Sequence, residues 1–275
     1  MMTIAAQEIQ KGDRFTFGDN WSRFLTTLDD ERIAEAENSL RNMLQITDLK
    51  GKRFLDIGSG SGLFSLAARR LGAEVESFDY DPKSVACTSY LRDKFFAADG
   101  RWTVKQGSVL DKAFLDTLDN ADIVYSWGVL HHTGSMWEAL DNAAQLVKPD
   151  GQLFIAIYND QGRRSKGWHF IKKTYNKYKF MQPLLLLYGI FRAWALTCVL
   201  DLMKGKPFHT WRTYKKERGM SPWHDVRDWI GGYPFEVATP DAIFSFYYTR
   251  GFNLTKIITR PGYGCNEFVF VRNRI

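Results

Sequence analysis

Short apolar runs alternate with longer segments of helical periodicity through the middle of the chain. Glycine, proline or charged residues bound the runs, as is typical of buried strands, and the longer segments repeat apolar positions every three or four residues. The pattern predicts strands at residues 52–57, 74–79, 101–106, 122–127 and 151–157, with helices at 62–71, 82–95 and 135–147. Such alternation predicts an α/β protein whose parallel sheet is covered on both faces.

Two features of the pattern mark where the alternation ends. Pro149 and Gly151 stop the helix at 135–147 and turn the chain toward the next strand. Near the C-terminus, segments 252–260 and 267–272 both resemble strands and flank a Pro-Gly-Tyr-Gly turn with no helix between them. They predict an antiparallel pair of strands.

A glycine-rich turn follows the first predicted strand. The apolar run ends at Asp56, and Gly58, Gly60 and Gly62 then occupy every second position. Glycines let the backbone pass close beneath a ligand, and the first amides of the next helix face the same place. The spacing is G-x-G-x-G and not the G-x-G-x-x-G of dinucleotide sites. It therefore favours a cofactor that lacks a phosphate and has a cationic end beside Asp56.

A second carboxylate ends the second predicted strand. Asp79 lies 23 positions beyond Asp56, where a carboxylate can accept hydrogen bonds from both ribose hydroxyls. With this pair, the chain resembles the class I S-adenosylmethionine-dependent methyltransferases from about residue 50 to its C-terminus. The resemblance implies a Rossmann-like sheet of seven strands, the last one antiparallel, with helices on both faces and a helical insert before strand six. It also implies S-adenosyl-L-methionine as the cofactor.

The resemblance further implies which residues hold that cofactor. Asp56 and the glycines flank the methionine moiety, Asp79 holds the ribose, and the aromatic segment 15–21 forms a flap. Ser108 stands where the family usually has an aspartate that accepts from the adenine amino group, and a hydroxyl accepts this hydrogen bond more weakly. The expected cofactor-binding residues are Asp56, Gly58, Ser59, Gly60, Gly62, Asp79, Tyr80, Ser108, Val109, Trp127 and Trp21.

Two adjacent histidines follow the fourth predicted strand, at the edge where a parallel sheet binds its substrate. A neutral imidazole at His131 or His132 can take the proton of a hydroxyl as its oxygen attacks a methyl group. We favour His132 as the base and expect the other ring to be structural. Correct placement of the reactants supplies much of the catalysis, and a base adds roughly 10²- to 10⁴-fold.

An aromatic and polar segment at 221–236 offers an alternative base. His224 lies there and could be oriented by Asp225 or Asp228. The segment is poorly periodic, so it is interpreted either as a wall of the pocket or as a rigid loop that covers the sheet. No metal ligands are assigned, and the histidine pair with Glu138 is the one cluster that suggests any.

Composition points to one domain with additions. The chain has 275 residues, of which 45% are apolar, enough to bury a sizeable core. Its three cysteines are widely spaced and fit neither a disulfide framework nor a zinc knuckle, which predicts a reducing compartment. The N-terminus carries no secretory pattern. A cytoplasmic location is expected, with peripheral membrane association as an option.

A basic and apolar insert distinguishes the chain. Between residues 161 and 218 there are 14 Lys or Arg and two acidic residues, whereas the rest of the chain has a net charge of −6. Within it, residues 183–203 are apolar on nearly every face, unlike an ordinary surface helix. The predicted organisation is a helical cap (1–50), a methyltransferase domain (51–160 and 221–275) and this insert (161–220).

Three interpretations of the insert stay open: a buried lid, a homodimer contact, and an anionic membrane surface met by residues 163–218. Segment 183–203 is long enough to span a bilayer. A span would separate the last two strands from their sheet, and Arg192 would add about 2.5 to 3.5 kcal/mol. We therefore reject a span and favour burial, as a lid or in a dimer, slightly over membrane contact.

The leading functional hypothesis is methylation of a hydroxyl on a small or lipid-linked metabolite. It follows from the resemblance of the cofactor half and of Val-Leu-His-His, ending at His132, to the quinone-biosynthesis O-methyltransferases. The alternative is a nucleic-acid (RNA) methyltransferase, which the pI near 9.1 and the insert favour. The chain lacks a base-methylation motif, paired catalytic cysteines and an RNA-binding module, so nucleic acid is not the expected partner. A third hypothesis is a non-enzymatic subunit that binds the cofactor.

Overall fold

The computed structural model describes residues 8, 11–97, 99–207, 210 and 222–274. Seven strands in this part of the chain form one sheet. They are β1 (Arg53–Ile57), β2 (Glu74–Asp79), β3 (Trp102–Gln106), β4 (Ala121–Trp127), β5 (Val147–Tyr158), β6 (Phe252–Ile258) and β7 (Cys265–Arg272). Their spatial order is β3-β2-β1-β4-β5-β7-β6. The first five are parallel, and β7 inserts antiparallel between β5 and β6.

Helices connect the strands and cover the sheet. They are α1 (Gly18–Leu25), α2 (Asp30–Leu44), α3 (Leu63–Arg70), α4 (Pro82–Phe96), α5 (Lys112–Leu115), α6 (Met136–Gln145), α7 (Arg163–Lys177), α8 (Gln182–Met203), α9 (Pro222–Gly231) and α10 (Pro240–Tyr248). Short 3₁₀ turns lie at Leu130–His132 and Lys179–Met181. The sequence prediction of a seven-stranded Rossmann-like sheet with an antiparallel last strand is confirmed.

Alternation along the strands divides the core into two layers. Phe54 of β1 packs on one face with Leu40 of α2 and Leu66 of α3. Its neighbour Leu55 lies on the other face, with Tyr247 of α10. Successive side chains of a strand point to opposite faces, so a continuous apolar run is what a sheet covered on both sides requires.

Local chemistry fixes the helix starts near the cofactor edge. Asp81 accepts a hydrogen bond from the backbone N–H of Lys83 at 2.9 Å, and Pro82 occupies the first turn of α4. A carboxylate cap satisfies one of the unpaired amides, and proline loses nothing at that position because its missing N–H would be unpaired anyway. These caps hold the end of β2 and the start of α4 in a tight turn.

Several predicted boundaries shift by two or more residues. Helix α6 ends at Gln145, so the turn at Pro149 and Gly151 lies inside β5, where Asp150 adopts a φ of 59°. Strand β6 ends at Ile258, two residues before the expected end. The interruption at Asp150 is local, because pairing of β4 with β5 resumes from Ile123 and Gln152.

The insert forms a third apolar cluster beside the sheet domain. Trp168 of α7, Trp194 of α8 and Ile230 of α9 pack there with Phe15 from the N-terminal segment. The interpretation of 221–236 as non-helical is therefore wrong for Pro222–Gly231. Helical spacing is present at Val226 and Ile230, but aromatic and polar neighbours hide it in the sequence. Packing of Gly189 on these two side chains makes the buried face evident.

Helix α8 is apolar yet largely exposed. The segment Lys179–Met203 is the one helix, among the described residues, whose length and mean hydropathy of 1.7 suit a membrane span. Only 12% of its most apolar window is buried. The expectation of a buried lid therefore describes just one side of the helix, which packs on α7 and α9.

Candidate functional site

A cavity of about 270 Å³ opens at the carboxyl ends of β1, β2 and β4. Parallel sheets bind ligands at this edge, where strand ends and helix starts converge. Most residues predicted to bind the cofactor line it. They are Asp56, Gly58, Ser59, Gly60, Asp79, Tyr80, Ser108, Val109, Trp127 and Trp21.

The glycine turn approaches its neighbours too closely for side chains. Gly58 and Gly60 have φ values of 78° and 56°. A Cβ on Gly58 would lie 2.4 Å from Cγ1 of Val129, and one on Gly60 would lie 2.9 Å from Cε2 of Trp21. The turn therefore needs glycine both for its left-handed backbone and for the close contacts around it.

Gly62 does not line the cavity. It precedes α3 with a φ of 82°, and a Cβ there would lie 2.8 Å from Cα of Thr88 in α4. This is a packing reason for the glycine, because it lets α3 and α4 approach each other. The structure therefore gives Gly62 an indirect place in the predicted site, behind the turn that Gly58 and Gly60 form.

Asp56 is a buried carboxylate on the floor of the cavity. The Ser65 hydroxyl donates a hydrogen bond to it, but no cation pairs with it among the described residues. Burial raises its pKa to about 7, and the nearby charge of Asp79 adds to the rise, whereas the Ser65 hydrogen bond opposes it. An unpaired buried carboxylate is costly, so this site favours a cationic ligand.

Asp79 lies at the end of β2 and braces the glycine turn. Its Oδ2 accepts from the N–H of Gly60 at 2.9 Å, and its Oδ1 accepts from the N–H of Asp81 at 2.9 Å. Burial raises its pKa to about 6, although the two backbone hydrogen bonds oppose the shift. Each carboxylate oxygen can accept a second hydrogen bond, so Asp79 retains capacity for two hydroxyls.

These features fit S-adenosylmethionine better than a phosphate-bearing cofactor. Among the described residues that line the cavity, Arg14 is the one lysine or arginine. Its guanidinium is already engaged by Glu8 at 2.8 Å and by the His132 backbone oxygen at 3.1 Å. Asp56 and Asp79 instead supply negative charge for an ammonium, a sulfonium and ribose hydroxyls.

The predicted N-terminal flap lies over this cavity. The Gly18 N–H donates to Oδ2 of Asp81 at 2.9 Å, and Lys83 pairs with Asp19. These contacts place Trp21 against Gly60. The same segment brings the Phe17 ring to 4.9 Å from the His132 ring. Segment 15–21 thus contacts both the glycine turn and the histidine.

The remaining predicted cofactor contacts surround the opening. Tyr80 lies beneath the Arg14 guanidinium, 4.7 Å from the ring centre. The Ser108 hydroxyl oxygen accepts from the N–H of Leu110 at 3.1 Å, which leaves its own hydrogen available for a ligand. Val109 is buried, and Trp127 is exposed at the end of β4. Together they offer apolar and polar contacts of the kind that an adenine needs.

His132 lines the cavity with its ring held by a long-range contact. Its Nδ1 lies 2.6 Å from the Pro234 backbone oxygen. A carbonyl only accepts hydrogen bonds, so Nδ1 carries the hydrogen and Nε2 keeps its lone pair. Burial lowers the pKa of His132 to about 3, and the charges of Lys172 and Arg14 lower it further, while the Pro234 hydrogen bond opposes them. The ring is therefore neutral at physiological pH.

His131 is fully buried behind the cavity and does not line it. Its Nδ1 accepts from the N–H of Tyr158 at 3.4 Å, and the two rings are in contact with centroids 4.0 Å apart and planes tilted by 41°. Burial lowers its pKa well below the ordinary value. A substrate in the cavity therefore cannot reach His131, which does not support its predicted catalytic role. Its buried position supports a structural role. The side chain of His224 lies outside the described residues.

Arg14 and Tyr125 are among the cavity residues that were not predicted from the sequence. Arg14 gives no local signal, because a single arginine in a polar segment is typical of a surface. Tyr125 appears as one more apolar strand residue, yet it lines the cavity, and its buried hydroxyl has no hydrogen-bond partner in the described part of the chain. Its register opposite Asp56 could have suggested this position, since paired residues of parallel strands lie side by side.

Metal ligands do not converge in the described residues. No group of three or more His, Cys, Asp or Glu side chains there could hold an ion. Glu236 instead accepts from the N–H of Met136 at 3.0 Å, and so caps α6 close to the histidine pair. The cavity brings together carboxylates, aromatic rings, one neutral imidazole and the Arg14 guanidinium around the glycine turn.

Comparisons with known proteins identify the class. A family model described as a methyltransferase domain matches residues 28–187, more than half of the chain. The chain therefore belongs to this methyltransferase family.

Two relatives are similar over part of their length. Both are named ubiquinone biosynthesis O-methyltransferase, one from Rhodopseudomonas palustris (strain BisB5) and one from Sinorhizobium fredii (strain NBRC 101917 / NGR234). Each is 32% identical, over 129 and 111 residues respectively. The matches cover 46% and 40% of this chain and 48% and 43% of the relatives, so the chain matches about half of their length or less.

Solved structures share the fold at low sequence identity. Magnesium protoporphyrin IX methyltransferase from Synechocystis PCC 6803 with bound SAH has a TM-score of 0.51 at 15% identity, and the match covers 99% of this chain and 89% of that one. An O-methyltransferase family protein from Burkholderia thailandensis has a TM-score of 0.52 at 15% identity, with coverage of 97% and 67%. They support the fold assignment.

Proposed function

We propose that this enzyme methylates a hydroxyl oxygen of a small or lipid-linked metabolite, with His132 as the group that accepts the hydroxyl proton. The observation that carries the proposal is the contact of His132 with the Pro234 backbone oxygen, from which the tautomer of the ring follows. Its Nδ1 is committed to the Pro234 oxygen at 2.6 Å, and its Nε2 makes no hydrogen bond to the described residues. A lone pair at the cavity is what a hydroxyl needs in order to donate its hydrogen.

The low basicity of His132 decides when the proton moves. S-adenosylmethionine, when bound, supplies an electrophilic methyl group. With a pKa of about 3, Nε2 cannot remove the proton of a free phenol or alcohol ahead of the attack. It can orient the hydroxyl by accepting its hydrogen, and it can take the proton once bond formation has made that oxygen strongly acidic. His132 therefore orients first and acts as a base late.

The walls beside His132 suit a flat apolar acceptor. The Phe17 ring lies 4.9 Å from His132, and Phe15 and Trp127 also line the cavity. Aromatic walls bind rings through offset or edge contacts. The names of the two relatives refer to ubiquinone biosynthesis, and this supports a phenolic acceptor for the present chain.

We also propose a cytoplasmic location for the enzyme. Cys87, Cys198 and Cys265 are unpaired, as expected of a protein kept in a reducing compartment. This location gives access to S-adenosylmethionine and to the cytoplasmic face of a membrane, where a lipid-linked acceptor would be presented.

The test is a methyl-transfer assay with matched acceptors. Purified protein and S-adenosylmethionine are incubated with a catechol, an aniline and a thiophenol of the same ring size, and products are identified by mass spectrometry. O-methylated product that depends on His132 is expected. Methylation of the aniline alone would overturn the proposal.

A control variant isolates the role of His132. His169 also has its Nδ1 close to a backbone oxygen, that of Phe235 at 3.0 Å, next to Pro234. His169→Ala removes a similar brace from the same segment but leaves the cavity lining intact. Loss of activity in His132→Ala with retention in His169→Ala would show that His132 acts in the reaction. It would also show that the loss does not come from a weakened hold on the segment at Pro234 and Phe235.

A further inference from the structure

The exposed side of α8 is an apolar surface without a partner in the described residues. Its side chains recur on one face of the helix, and Phe191 is 71% exposed. The members of this stripe are Leu184, Leu187, Phe191, Val199 and Leu202. The opposite side packs on α7 and α9 through residues that include Trp194. A single side of the helix is therefore available to a partner.

Helix α7 continues this surface with charge and aromatic rings. Lys166, Phe170, Lys173 and Lys177 are exposed and follow one another at spacings of three and four, so they share a face. Phe170 is 70% exposed, and Phe180, in the turn that leads to α8, is 79% exposed. We call the exposed faces of α7, α8 and the turn between them the docking face.

The charge of the docking face is of one sign. Of the ten lysines and arginines between residues 161 and 207, nine are exposed, and the tenth is the buried Lys172. The one acidic residue in this range, Asp201, is buried and accepts hydrogen bonds from Thr210 at 2.8 Å. Exposed rings and leucines bordered by cations match the interface of an anionic bilayer.

The geometry favours a helix that lies in the membrane surface. Trp194 and Ile190 are packed into the protein on the inner side of α8, so lipid can surround only the outer side. Arg192 is exposed beside the apolar stripe, where its long side chain can reach the headgroups. Both observations fit shallow insertion parallel to the surface and not a span.

Other occupants fit the docking face less well. A symmetric dimer would place the same patch of two copies together, and so would bring exposed cations against cations with no acidic side chain between them. A nucleic acid would neutralise the lysines but would leave the stripe around Phe191 against phosphates. An anionic bilayer satisfies the charges and the apolar side chains at once.

We propose that the docking face binds the surface of an anionic membrane and holds the cavity at that surface. Phe15 joins the two regions, because it lines the cavity and also packs with Trp168 and Trp194 of the docking helices. An acceptor dissolved in the bilayer would then enter beside Phe15. This last step rests on the proposed O-methyltransferase function, whereas membrane binding does not.

The test is co-sedimentation of the full chain with vesicles of phosphatidylcholine alone and of equimolar phosphatidylcholine and phosphatidylglycerol. Binding to the anionic vesicles alone, weakened by salt, is expected. A double variant with Lys173→Glu and Lys177→Glu should lower the partition coefficient by at least about tenfold, because each cation near the surface contributes measurably. Phe191→Ser should also lower it.

Matched variants elsewhere on the surface serve as controls. Lys112→Glu and Tyr248→Ser change an exposed lysine and an exposed ring far from the insert in sequence, and both should bind vesicles like the wild type. Calorimetry with S-adenosylhomocysteine verifies that every variant is folded, and needs neither methyl transfer nor lipid.

Two results would overturn the proposal. One is the absence of wild-type protein from the anionic vesicle pellet. The other is a dimer in analytical ultracentrifugation that Phe191→Ser dissociates, which would assign the docking face to a second copy of the chain. Methyl transfer to soluble phenols would be unaffected by either result, so failure of membrane binding is distinguishable from failure of the proposed function.

Discussion

The Nδ1 atom of His132 lies 2.6 Å from the backbone oxygen of Pro234, 102 residues further along the chain. This contact joins the turn after β4 to the segment after α9 and selects the tautomer of the ring. The carbonyl cannot be removed by mutation, so the histidine has a fixed orientation as long as the segment holds its place. Arg14 holds the same turn with a second long-range hydrogen bond, which it donates to the His132 backbone oxygen at 3.1 Å.

Replacement of His132 by Ala should lower kcat roughly 10²- to 10⁴-fold, the usual contribution of a positioned base. The dissociation constant for S-adenosylmethionine should change little, because the variant keeps Asp56 and Asp79. Single-turnover kinetics and calorimetry measure the two quantities. Full activity would remove His132 from the reaction and direct attention to His224.

The pH profile of kcat should lack a limb from His132 between pH 5 and 9. Burial lowers its pKa to about 3, so Nε2 is unprotonated throughout that range. A profile of kcat at saturating cofactor, measured for wild type and His132→Ala, tests this. An acid limb near the ordinary histidine pKa that disappears in the variant would contradict the assignment.

Cofactor affinity should depend on pH through Asp56. In the free protein its pKa is raised to about 7 by burial, so the carboxyl is largely protonated below that pH. A bound cation favours the charged carboxylate, and binding must then release a proton. The dissociation constant should therefore rise as pH falls from 8 to 6. Asp56→Asn should bind weakly at every pH and should lack this slope.

Folding stability gives a second measure of Asp56. Its folded pKa lies above the unfolded value of about 4, so the native state binds the extra proton between those two values. The free energy of unfolding should fall as pH rises from about 4 to 7. Urea titrations of Asp56→Asn should show a smaller decrease in the free energy of unfolding over this pH range, because the contribution of Asp56 is removed. A slope that is unchanged in the variant would assign the effect to Asp79, whose pKa is also raised.

Asp79→Ala should raise the dissociation constant of S-adenosylmethionine by at least about tenfold, since hydrogen bonds to a charged carboxylate contribute roughly 1.5 to 3 kcal/mol each. The variant also loses the hydrogen bond to the Gly60 N–H, so the glycine turn loosens. Asp119→Ala, which changes an exposed carboxylate, is the control. Equal affinity in the Asp79 variant and wild type would refute the ribose assignment.

Tyr125→Phe should stabilise the free protein by about 1 to 3 kcal/mol, because it deletes a buried hydroxyl that has no partner among the described residues. The ring should stay in place between Phe64 and Phe154, whose centroids lie 5.0 and 5.1 Å away. Denaturant titration measures the change. If the variant is less stable, the hydroxyl must already be satisfied in the free protein, for instance by water.

The affinities of two cofactor analogues, with and without the amino-acid end, test which part of the cofactor the Tyr125 hydroxyl contacts. It lies beside Asp56, on the floor that the methionine end is expected to occupy. Tyr125→Phe should weaken S-adenosylhomocysteine and leave 5′-methylthioadenosine, which lacks the amino-acid end, unchanged. Equal loss for both ligands would place the effect on the whole cavity.

Local patterns in the sequence were enough to predict much of the fold and part of the candidate site. The positions of β1 to β5 along the chain and of the glycine turn after β1 follow from the alternating elements and the G-x-G-x-G spacing, because side-chain periodicity and turn chemistry act over a few residues. Asp56 and Asp79 could be placed at the cavity because each ends a parallel strand, and parallel strands end at one edge. The side of α8 that packs on the protein could not be predicted in this way, since the helix is apolar on nearly every side.

Tertiary contacts decided the rest. The choice between His131 and His132 as a cavity residue, the packing role of Gly62 and the place of Arg14 depend on neighbours far away in the chain. The sequence by itself determined the class of fold, the cofactor edge and the two carboxylates, because these are encoded in short segments. Only the folded chain decided which nitrogen carries a hydrogen and which side of α8 stays exposed, because both depend on long-range packing.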